Sequence, residues 1–560
     1  KPFYAGTYFP KESRYGNPGF IDILKTISKQ YQENSPQLYS VGQEIVEALS
    51  RGDQTGAAFT PQLLESAVAD FKRNFDTTYG GFGAEPKFPA PHQLLFLLRY
   101  AYWQADQEGL QMVTKTLDSM AEGGIHDHIG GGFARYSVDA QWLVPHFEKM
   151  LYDQAMLMMV YSEAYQITKN YHYKQVIEGI FTYLIRDLRD KHGAFYSAED
   201  ADSEGVEGKF YVWDPNEIIA ILGEPEGQRF CIAYDITEEG NFEGKNIPNL
   251  IGRDLERLAE DHGLTLEQFQ NELARGRALL LKERSKRVRP HRDDKILTSW
   301  NGLIIAALAT AGRILKEDQY LEAAKDAYHF INQKMFHDGK LMARYREGDV
   351  KNRGFLDDYA YMLWACDALY EATFAPEYVQ RMKSLAEQMA SHFWDNEGFG
   401  FYLNDKDQSL VMRPKDIYDG ALPSGNSIAT LMLLKLSRRT GEIDFEMYVD
   451  KVFQRFGHDV QHYPMGHSAL LTAYLLTQMK TKELVILDEN FDTACDAASL
   501  VLAEYHPEVI TLAGTTDRLK RIAGFTRAFQ TLNAQTTYYL CENFSCNVPT
   551  NDREKIRFHQ

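Results

Sequence analysis

The sequence predicts a mainly α-helical fold, an (α/α)6 toroid of six helical hairpins. Six times along the 560 residues, a loop rich in glycine, aromatic and acidic residues leads into a helix too apolar to face water. Each of these helices follows an ordinary amphipathic helix. A helix that is apolar all round is stable in water only when other helices enclose it, so the alternation predicts two concentric rings. An open solenoid uses the same hairpins but prefers a more uniform repeat, whereas here an insertion occupies about 190–295.

The enclosed helices are expected at the six loop-to-helix junctions, which are 86–100, 144–161, 293–310, 353–370, 420–436 and 463–476. Their predicted starts lie near His92, Phe147, Thr298, Leu356, Gly425 and Gly466. The amphipathic partners are expected near 61–75, 109–122, 171–189, 318–335, 376–393 and 445–457. In the helix at 318–335, Leu321, Tyr328 and Met335 share one stripe and Lys325 and Lys334 lie on the other side, which indicates a single exposed face.

Smaller regions flank the toroid, which we place at 58–479. Residues 1–52 begin with an apolar, strand-like segment and continue into helices at about 19–32 and 36–51, before a polar linker at 51–58. Residues 480–560 contain two runs typical of buried strands, 483–489 and 508–514, around a helix at 491–504, and 536–543 is a third candidate strand. We therefore expect a small C-terminal α/β appendage.

Composition excludes several classes of partner. With 60 Lys and Arg against 79 Asp and Glu, the formal net charge of −19 repels a phosphate backbone, so we expect no nucleic-acid partner. The basic run at 282–295 is expected to be a solvated loop that pairs with nearby acids. No apolar stretch reaches the ~18–20 residues of a membrane helix, so we expect no membrane partner. The oligomeric state stays open.

The five cysteines are scattered along the chain, which is typical of a reducing compartment and predicts a cytoplasmic location. We expect Cys541 and Cys546 to be unbridged. The chain begins at Lys1 in what reads as the middle of a domain, so a targeting segment upstream would not be visible.

Several long motifs carry a resemblance to a known family. They read GTYFPKE at 6–12, EPKFPAPHQLLFLLR at 85–99, GGIHDHIGGGFARYSVDAQWLVPHFEKMLYDQA at 123–155, SAEDADSEGVEGKFYVW at 197–213, DDKILTSWNGLII at 293–305, FLDDYA at 355–360, PSGNS at 423–427 and CENFSCNVPT at 541–550. Over essentially its whole length the chain resembles the thioredoxin-domain proteins related to spermatogenesis-associated protein 20. Their body in turn resembles six-hairpin glycosidases and N-acylglucosamine 2-epimerases.

The resemblance implies that residues 1–52 are the C-terminal part of a thioredoxin-like domain. The Cys-containing redox motif of that domain would lie upstream of Lys1, so this chain by itself would carry no dithiol chemistry. The resemblance defines the fold better than the reaction, because one fold hosts many functions.

The toroid also predicts where the chemistry lies. All loops from an outer to an inner helix emerge at one end, where the inner-helix N-termini direct partial positive charge into one funnel. The loop at 123–153 is the densest of them, and it supplies groups suited to general acid/base catalysis: His126, Asp127, His128, Arg135, His146, Glu148 and Asp153. The same groups could equally form a hydrogen-bonded scaffold. The histidines have no diagnostic metal-ligand spacing, so we predict no metal and no cofactor.

Later junctions add further candidates. The third loop carries Asp200 and Asp202, and Trp300 and Asn301 begin the third inner helix. Asp357 and Asp358 begin the fourth, and only one of them can point into the funnel because helix neighbours diverge by roughly 100°. Asn426 begins the fifth inner helix and His467 the sixth, and N-terminal capping is the alternative role of these residues. Eight residues are expected around one cavity: His126, Asp127, His128, His146, Glu148, Asp200, Asp358 and His467.

Two functions follow. The first is a carbohydrate-active enzyme, in which Glu148 and Asp358 form an acid/base pair for glycoside cleavage. In an isomerase or epimerase version, His128 or His467 transfers a proton. The 2-epimerases that the body resembles use two histidines, and His467 matches the one on the last inner helix, but this chain has no His on the fourth. The second function is a noncatalytic binding or thioredoxin-coupled scaffold.

For the enzyme, the expected ligand is a small molecule, a sugar. The residues expected to bind it are His126, Asp127, Arg135, His146, Asp153, Asp200, Asp202, Trp300, Asn301, Asp357 and Asn426.

Overall fold

The structure is a computed structural model that describes residues 4–6, 9–14, 16–50, 56–408 and 412–558. Its first helix, α1 (Phe20–Ser50), kinks at Asn34, where φ is −154° and ψ is 63°, two residues before Pro36. The kink separates the two helices predicted at 19–32 and 36–51. The predicted linker falls largely on residues 51–55, which lie outside the described residues, as do parts of the motif at 6–12.

From residue 61 the chain forms outer and inner helices in alternation. The first are α2 (Pro61–Asn74), α3 (Pro91–Gln104), α4 (Gln107–Glu122), α5 (Leu151–Thr168) and α6 (Tyr171–Tyr183). The insertion after α6 contributes α7 (Pro215–Leu222), α8 (Glu226–Ala233), α9 (Leu255–Asp261) and α10 (Leu266–Arg284). The alternation then resumes with α11 (Thr298–Leu315), α12 (Asp318–Lys334), α13 (Leu356–Thr373), α14 (Pro376–Phe393), α15 (Gly425–Thr440), α16 (Asp444–His462) and α17 (Ser468–Gln478).

The six inner helices α3, α5, α11, α13, α15 and α17 form a closed ring. Each contacts the next in chain order, and α17 packs against α3, which joins the last to the first. An open solenoid would leave these two helices apart. The inner helices are buried on nearly every side, whereas an outer helix such as α12 buries only one face. The fold is therefore the predicted toroid.

Short strands occupy the loops between outer and inner helices. They are β1 (Tyr136–Ser137), β2 (Pro145–His146), β3 (Lys149–Met150), β4 (Ala198–Glu199), β5 (Asp202–Ser203), β6 (Val206–Glu207), β7 (Arg292–Asp293), β8 (Ile296–Leu297), β9 (Phe336–His337), β10 (Lys340–Arg346) and β11 (Asp349–Arg353). Strand β4 pairs with both β3 and β7, so the two ends of the insertion pair with each other and, through β4, with the loop before α5. Strands β5 and β6 form a separate hairpin.

A repeated turn follows several outer helices. Asp76, Asp127 and Asp395 each accept backbone N–H groups within the turn that follows them. Each of these carboxylates also pairs with a Lys, and the three cations are Lys87, Lys149 and Lys415.

The Asp127 and Asp395 turns, and a third turn at 190–195, end at a phenylalanine whose backbone is held by an inner helix. The side-chain amides of Gln154, Asn301 and Asn426 bond both the N–H and the C=O of Phe133, Phe195 and Phe401, respectively. We call these three side chains the amide clamps. They fasten outer-to-inner loops to the first turns of α5, α11 and α15.

The C-terminal appendage is an α/β unit. Its strands are β12 (Lys482–Leu487), β13 (Val509–Gly514), β14 (Thr537–Glu542) and β15 (Ser545–Cys546), and its helices are α18 (Phe491–Leu502) and α19 (Thr516–Lys520). Strand β12 runs parallel to β13 and antiparallel to β14, and β15 forms the edge of the sheet.

The prediction that Cys541 and Cys546 are unbridged is wrong, because the two form a disulfide. The antiparallel register of β14 and β15 places them directly opposite each other. The prediction came from the number and spacing of the cysteines, and neither reveals the register of β14 and β15.

Among the described residues, none of the helices is long and apolar enough to cross a membrane.

Candidate active site at the mouth of the toroid

We use the term mouth for the end of the ring at which the inner helices begin. The loops that carry the predicted site residues all lead to this end. The eight residues expected around one cavity do not form one cluster, however. Their contacts divide most of them into an inner group beneath the insertion and a group exposed at the mouth. The extended segment 145–150 separates the two, because successive side chains of an extended chain point to opposite sides.

The inner group contains His126, Asp127 and His128. Both histidines contact backbone carbonyls at the end of α4. A ring nitrogen of His126 faces the carbonyl of Ala121, and one of His128 faces the carbonyls of Glu122 and Gly123. These bonds satisfy carbonyls that a helix C-terminus otherwise leaves unpaired. Burial lowers the pKa of His128 to about 4, so this imidazole is neutral near pH 7. Both histidines therefore have a structural role as caps, and neither reaches the mouth.

Asp127 is buried between two cations. Its carboxylate accepts hydrogen bonds from Nη1 and Nη2 of Arg284, at 2.9 and 2.7 Å, and from the amine of Lys149 at 2.8 Å. Burial alone would raise the pKa of Asp127, but Arg284 and Lys149 outweigh it and hold the pKa well below its usual range. The adjoining cavity of about 20 Å³ has room for little more than one water molecule. Arg284 belongs to the basic run expected to be solvated, and its burial corrects that expectation.

The exposed group centres on Glu148. Its carboxylate accepts from Arg135 Nη1 at 2.7 Å and lies 3.3 Å from His146 Nε2. The other nitrogen of His146 lies 2.6 Å from Glu207 Oε1, at the end of strand β6. Tyr136 stacks on the same imidazole. Arg135, His146 and Glu148 are thus in contact with one another, as the sequence suggested. Glu207 also belongs to this group, although it was not among the predicted residues.

The first turn of α5 adds Tyr152 and Asp153. The Tyr152 ring meets Trp300, at the start of α11, edge to face at 4.8 Å between centroids. Asp153 is buried, and its Oδ2 has no hydrogen-bond partner among the residues that the structure describes. Burial raises the pKa of Asp153 well above its usual value, and nearby Glu148 raises it further while Arg135 lowers it. An unpaired buried carboxyl oxygen is uncommon in proteins and marks this position for a ligand or a water.

Asp358 and Asp419 are buried caps that join neighbouring inner helices. Asp358 accepts from the N–H groups of Phe355 and Ser299, which ties α13 to α11. Asp419 accepts from Ser424 and Ala469, which ties α15 to α17. Burial raises the pKa of each carboxyl to about 7. Because both oxygens of Asp358 are occupied by backbone donors, the capping role fits it better than the acid/base role.

Of the adjacent residues Asp357 and Asp358, Asp357 is therefore the candidate acid. Its side chain is partly exposed at the mouth and lies against Gly425, where any side chain would collide with the carboxylate. Burial, together with the neighbouring Asp416, raises the pKa of Asp357 to about 6.

His467 precedes α17, at the end of a short 3-10 turn that begins at Pro464. Its Nδ1 lies 2.8 Å from the carbonyl of Ile417, which fixes the proton on Nδ1 and leaves the lone pair on Nε2. Burial lowers the pKa of His467, so the imidazole is neutral at pH 7.

Other predicted binding residues lie apart from the mouth. Asn301 and Asn426 are fully buried amide clamps. Asp200 and Asp202 are exposed on the insertion, where an Asp200 oxygen accepts the N–H groups of Ala201 and Asp202. Asp202 pairs across the β5–β6 hairpin with Glu207, so it reaches the mouth only through that hairpin.

Exposed aromatic side chains at the mouth were not among the predicted residues. Phe88, which precedes α3, lies 4.8 Å from Tyr136, and Tyr418 stacks with Tyr463 near His467. Phe88, Tyr418 and Tyr463 are each about half exposed. A signal existed in the sequence, since each of these rings stands in a loop that leads to an inner helix.

Two solved structures are similar to this chain in fold. A GH76 alpha-mannanase of Bacteroides thetaiotaomicron matches with a TM-score of 0.45 and 10% identity, over 74% of this chain and 93% of that one. A cellobiose 2-epimerase of Bacillus thermoamylovorans matches with a TM-score of 0.29 and 14% identity, over 66% and 94%.

Sequence comparison is more specific. A family model described as a protein of unknown function, DUF255, with the name Thioredox_DsbH, matches residues 1–50. Spermatogenesis-associated protein 20 of Homo sapiens is 33% identical over 612 aligned residues, which cover 100% of this chain and 77% of the human protein. An uncharacterized protein of Caenorhabditis elegans is 29% identical over 98% of this chain and 80% of its own length. The chain therefore belongs to the spermatogenesis-associated protein 20 family.

Proposed function

We propose that the chain is a carbohydrate-active enzyme whose active site is the funnel at the mouth, and that it cleaves a glycosidic bond. The observation that carries the proposal is the pair of carboxyl groups in contrasting environments. Glu148 is held by the cation of Arg135, whereas Asp357 has a pKa raised to about 6. The raised pKa suits Asp357 to donate a proton, and the contact with Arg135 holds the carboxyl group of Glu148 in place.

In this proposal Asp357 donates its proton to the oxygen of the leaving sugar as the C–O bond breaks. Glu148 accepts a proton from the attacking water, or attacks the anomeric carbon itself. Either route adds one water across the bond. Asp357 takes the role first assigned to Asp358, whose oxygens are occupied. The aromatic side chains Trp300, Tyr418 and Phe88 offer apolar faces against which sugar rings can pack.

The first test is a thermal-shift panel of mono- and disaccharides, followed by assays for released reducing sugar. A ligand at one hundred times its Kd stabilises the folded state by about 2.7 kcal/mol, which raises the Tm measurably. If none of these sugars and no longer oligosaccharide raises the Tm, the carbohydrate proposal is lost. If sugars bind but are not turned over, the noncatalytic binding alternative is the better one.

Two variants test the catalytic roles. Glu148→Gln and Asp357→Asn are each expected to lower kcat by about 10²–10⁴ while sugar binding persists. Asp338→Asn is the matched control, since its side chain is 89% exposed on the β9–β10 turn. Because Asp357 must be protonated, kcat/KM of the wild type is expected to fall as pH rises above about 6. A profile that is flat between pH 5 and 8 would remove Asp357 from the acid role.

A second candidate reaction is sugar isomerisation, favoured by the fixed tautomer of His467. A neutral imidazole with a free lone pair on Nε2 can remove a proton from a carbon next to a carbonyl group. In that case, sugar incubated in D2O would gain deuterium at the reacting carbon, and His467→Ala would abolish the exchange. Exchange that persists in this variant would exclude His467 as the base.

A further inference from the structure

A groove of about 680 Å³ lies in the insertion, outside the funnel. Its walls come from the β5–β6 hairpin, the segment 209–217, the turn at 242–245 and the residues 286–288 that follow α10. The volume is within the range of sites that bind small molecules or short chains, roughly 300–1,000 Å³. None of the mouth residues discussed so far lies in this groove, with the exception of Glu207.

Glu207 connects the groove to the mouth. It lines the groove, and its carboxylate also contacts His146, whose other nitrogen faces Glu148. One imidazole ring therefore separates a groove side chain from the proposed catalytic carboxylate. A ligand seated in the groove would extend toward Glu148.

The groove combines paired charges with exposed apolar side chains. Three ion pairs stand along it, Lys209–Glu204 at 2.8 Å, Lys245–Asp214 at 3.2 Å and Arg287–Glu217 at 2.8 Å. Between them Val206 and Val288 are 48% and 57% exposed. Acidic groups outnumber basic ones in the lining, which disfavours a polyanion. Charged donors and acceptors beside apolar surface suit a neutral, hydroxyl-rich chain whose rings have apolar faces.

We propose that this groove binds the distal residues of a saccharide chain whose reacting bond lies at the mouth. The inference rests on the proposed carbohydrate function and narrows it, because the substrate class becomes an oligosaccharide or polysaccharide. Affinity should then rise with chain length until the groove is filled. A site limited to the funnel would gain nothing beyond the first one or two sugar rings.

The experiment measures the Kd of manno-, cello- and maltooligosaccharides, from the monosaccharide to the hexasaccharide, by calorimetry on the full chain. The groove variant is Val206→Glu with Val288→Glu, which adds charge at two exposed positions. Val548→Glu is the matched control, because Val548 is 91% exposed on the appendage. For the series that binds, the groove variant should weaken the hexasaccharide by about tenfold or more and leave the disaccharide within about twofold of wild type.

The possible outcomes separate the two proposals. If short sugars bind but neither added length nor the groove variant changes the Kd, the groove inference is overturned and the function at the mouth stands. If no saccharide of any length binds, both are overturned. If an unfolded polypeptide such as reduced carboxymethylated lactalbumin binds and the groove variant abolishes that binding, the groove is a polypeptide site and the saccharide inference is wrong.

Discussion

At the residue scale, the aspartates at the mouth have two different roles. Asp358 and Asp419 use both oxygens to bond backbone N–H groups of neighbouring inner helices, whereas Asp357 is partly exposed and lies against Gly425 at the start of α15. The sequence indicated that only one of the pair Asp357 and Asp358 could face the funnel. It could not indicate which one, because that depends on where the N–H of Ser299, fifty-nine positions earlier, is placed by α11.

The pH dependence of stability tests the burial of Asp358. Its pKa is about 7 in the folded state and about 3.8 when unfolded. Between these values the folded state keeps a proton that the unfolded state has lost. The free energy of unfolding therefore falls as pH rises from about 4 to about 7, by up to ~1.4 kcal/mol per pH unit for this one group. Asp358→Asn cannot ionise, so the stability of wild type relative to this variant should decline across that window.

Urea unfolding of both proteins at several pH values from 4.5 to 7.5 provides the measurement. Asp127→Asn is the contrasting control. The folded-state pKa of Asp127 is depressed, so its contribution is fully present above about 3.8 and is lost only as pH falls further. Its stability difference from wild type should stay constant over the window. A constant difference for Asp358→Asn as well would contradict the raised pKa.

The histidines show a related limit of sequence reading. The loop at 123–153 is rich in ionisable groups, and both a catalytic and a scaffold reading were open. The structure divides them by the alternation of the segment 145–150, so that His146 and Glu148 face one side and Phe147 and Lys149 the other. A list of residue types does not contain this division, because the extended conformation of the segment depends on pairing of β3 with β4, nearly fifty residues away.

At the element scale, the helices were the most predictable part. Helices α11, α13 and α15 begin at Thr298, Leu356 and Gly425, as predicted from where the apolar pattern starts. Helix α5 begins at Leu151, later than the predicted Phe147, because residues 145–150 are extended and pair with other loops. Apolar periodicity locates a helix well, whereas pairing of short strands between distant loops leaves almost no local signal.

The amide clamps give an element-scale prediction. The Asn301 side chain makes three bonds to buried backbone, to the N–H and C=O of Phe195 and to the C=O of Leu297. Asn301→Ala leaves these groups unpaired, and we expect the free energy of unfolding to fall by about 2–4 kcal/mol. Asn332→Ala is the matched control on outer helix α12, where a single bond to Tyr328 is lost and the cost should stay below about 1 kcal/mol.

Urea denaturation of the two alanine variants makes the comparison. Equal losses of stability in both would mean that the clamp contributes no more than an ordinary surface amide. A larger loss for Asn301→Ala would support a structural role for this side chain and remove it from the candidate substrate contacts.

At the scale of the whole molecule, closure of the ring and the position of the appendage depend on long-range contacts. The alternation of enclosed and half-exposed helices, together with their uneven spacing, was enough to predict a closed toroid. The sequence also indicated the strands of the appendage, but not its place. It packs against the end of the ring opposite the mouth, where Gln166, Arg313 and Arg439 donate to its backbone carbonyls. Basic side chains are favourable there, because inner helices end with partial negative charge.

The disulfide of the appendage gives a simple prediction. A peptide that spans Cys541 and Cys546, released by protease under alkylating and non-reducing conditions, should be two hydrogens lighter than the reduced peptide and should carry no alkyl group. Cys231, Cys366 and Cys495 are free in the structure and serve as the internal comparison. Alkylation of Cys541 and Cys546 without prior reduction would support the original sequence-based expectation instead.

Arg439 tests how the appendage is held on the ring. This fully buried guanidinium on α15 bonds Asp367 and Glu371 of α13 and the carbonyl of Thr511 in β13. Arg439→Met removes a buried cation from beside Asp367 and Glu371, so we expect the free energy of unfolding to fall by about 3–5 kcal/mol. Hydrogen exchange should accelerate first in β13 and then in its neighbour β12, because the bond from Arg439 to Thr511 of β13 is the one that is cut. Arg73→Met is the control, since Arg73 is 70% exposed in a local pair with Asp70 and should cost less than about 1 kcal/mol. If exchange in β12 and β13 is unchanged in Arg439→Met, the appendage is held by its apolar contacts, and the buried ion pairs serve the ring alone.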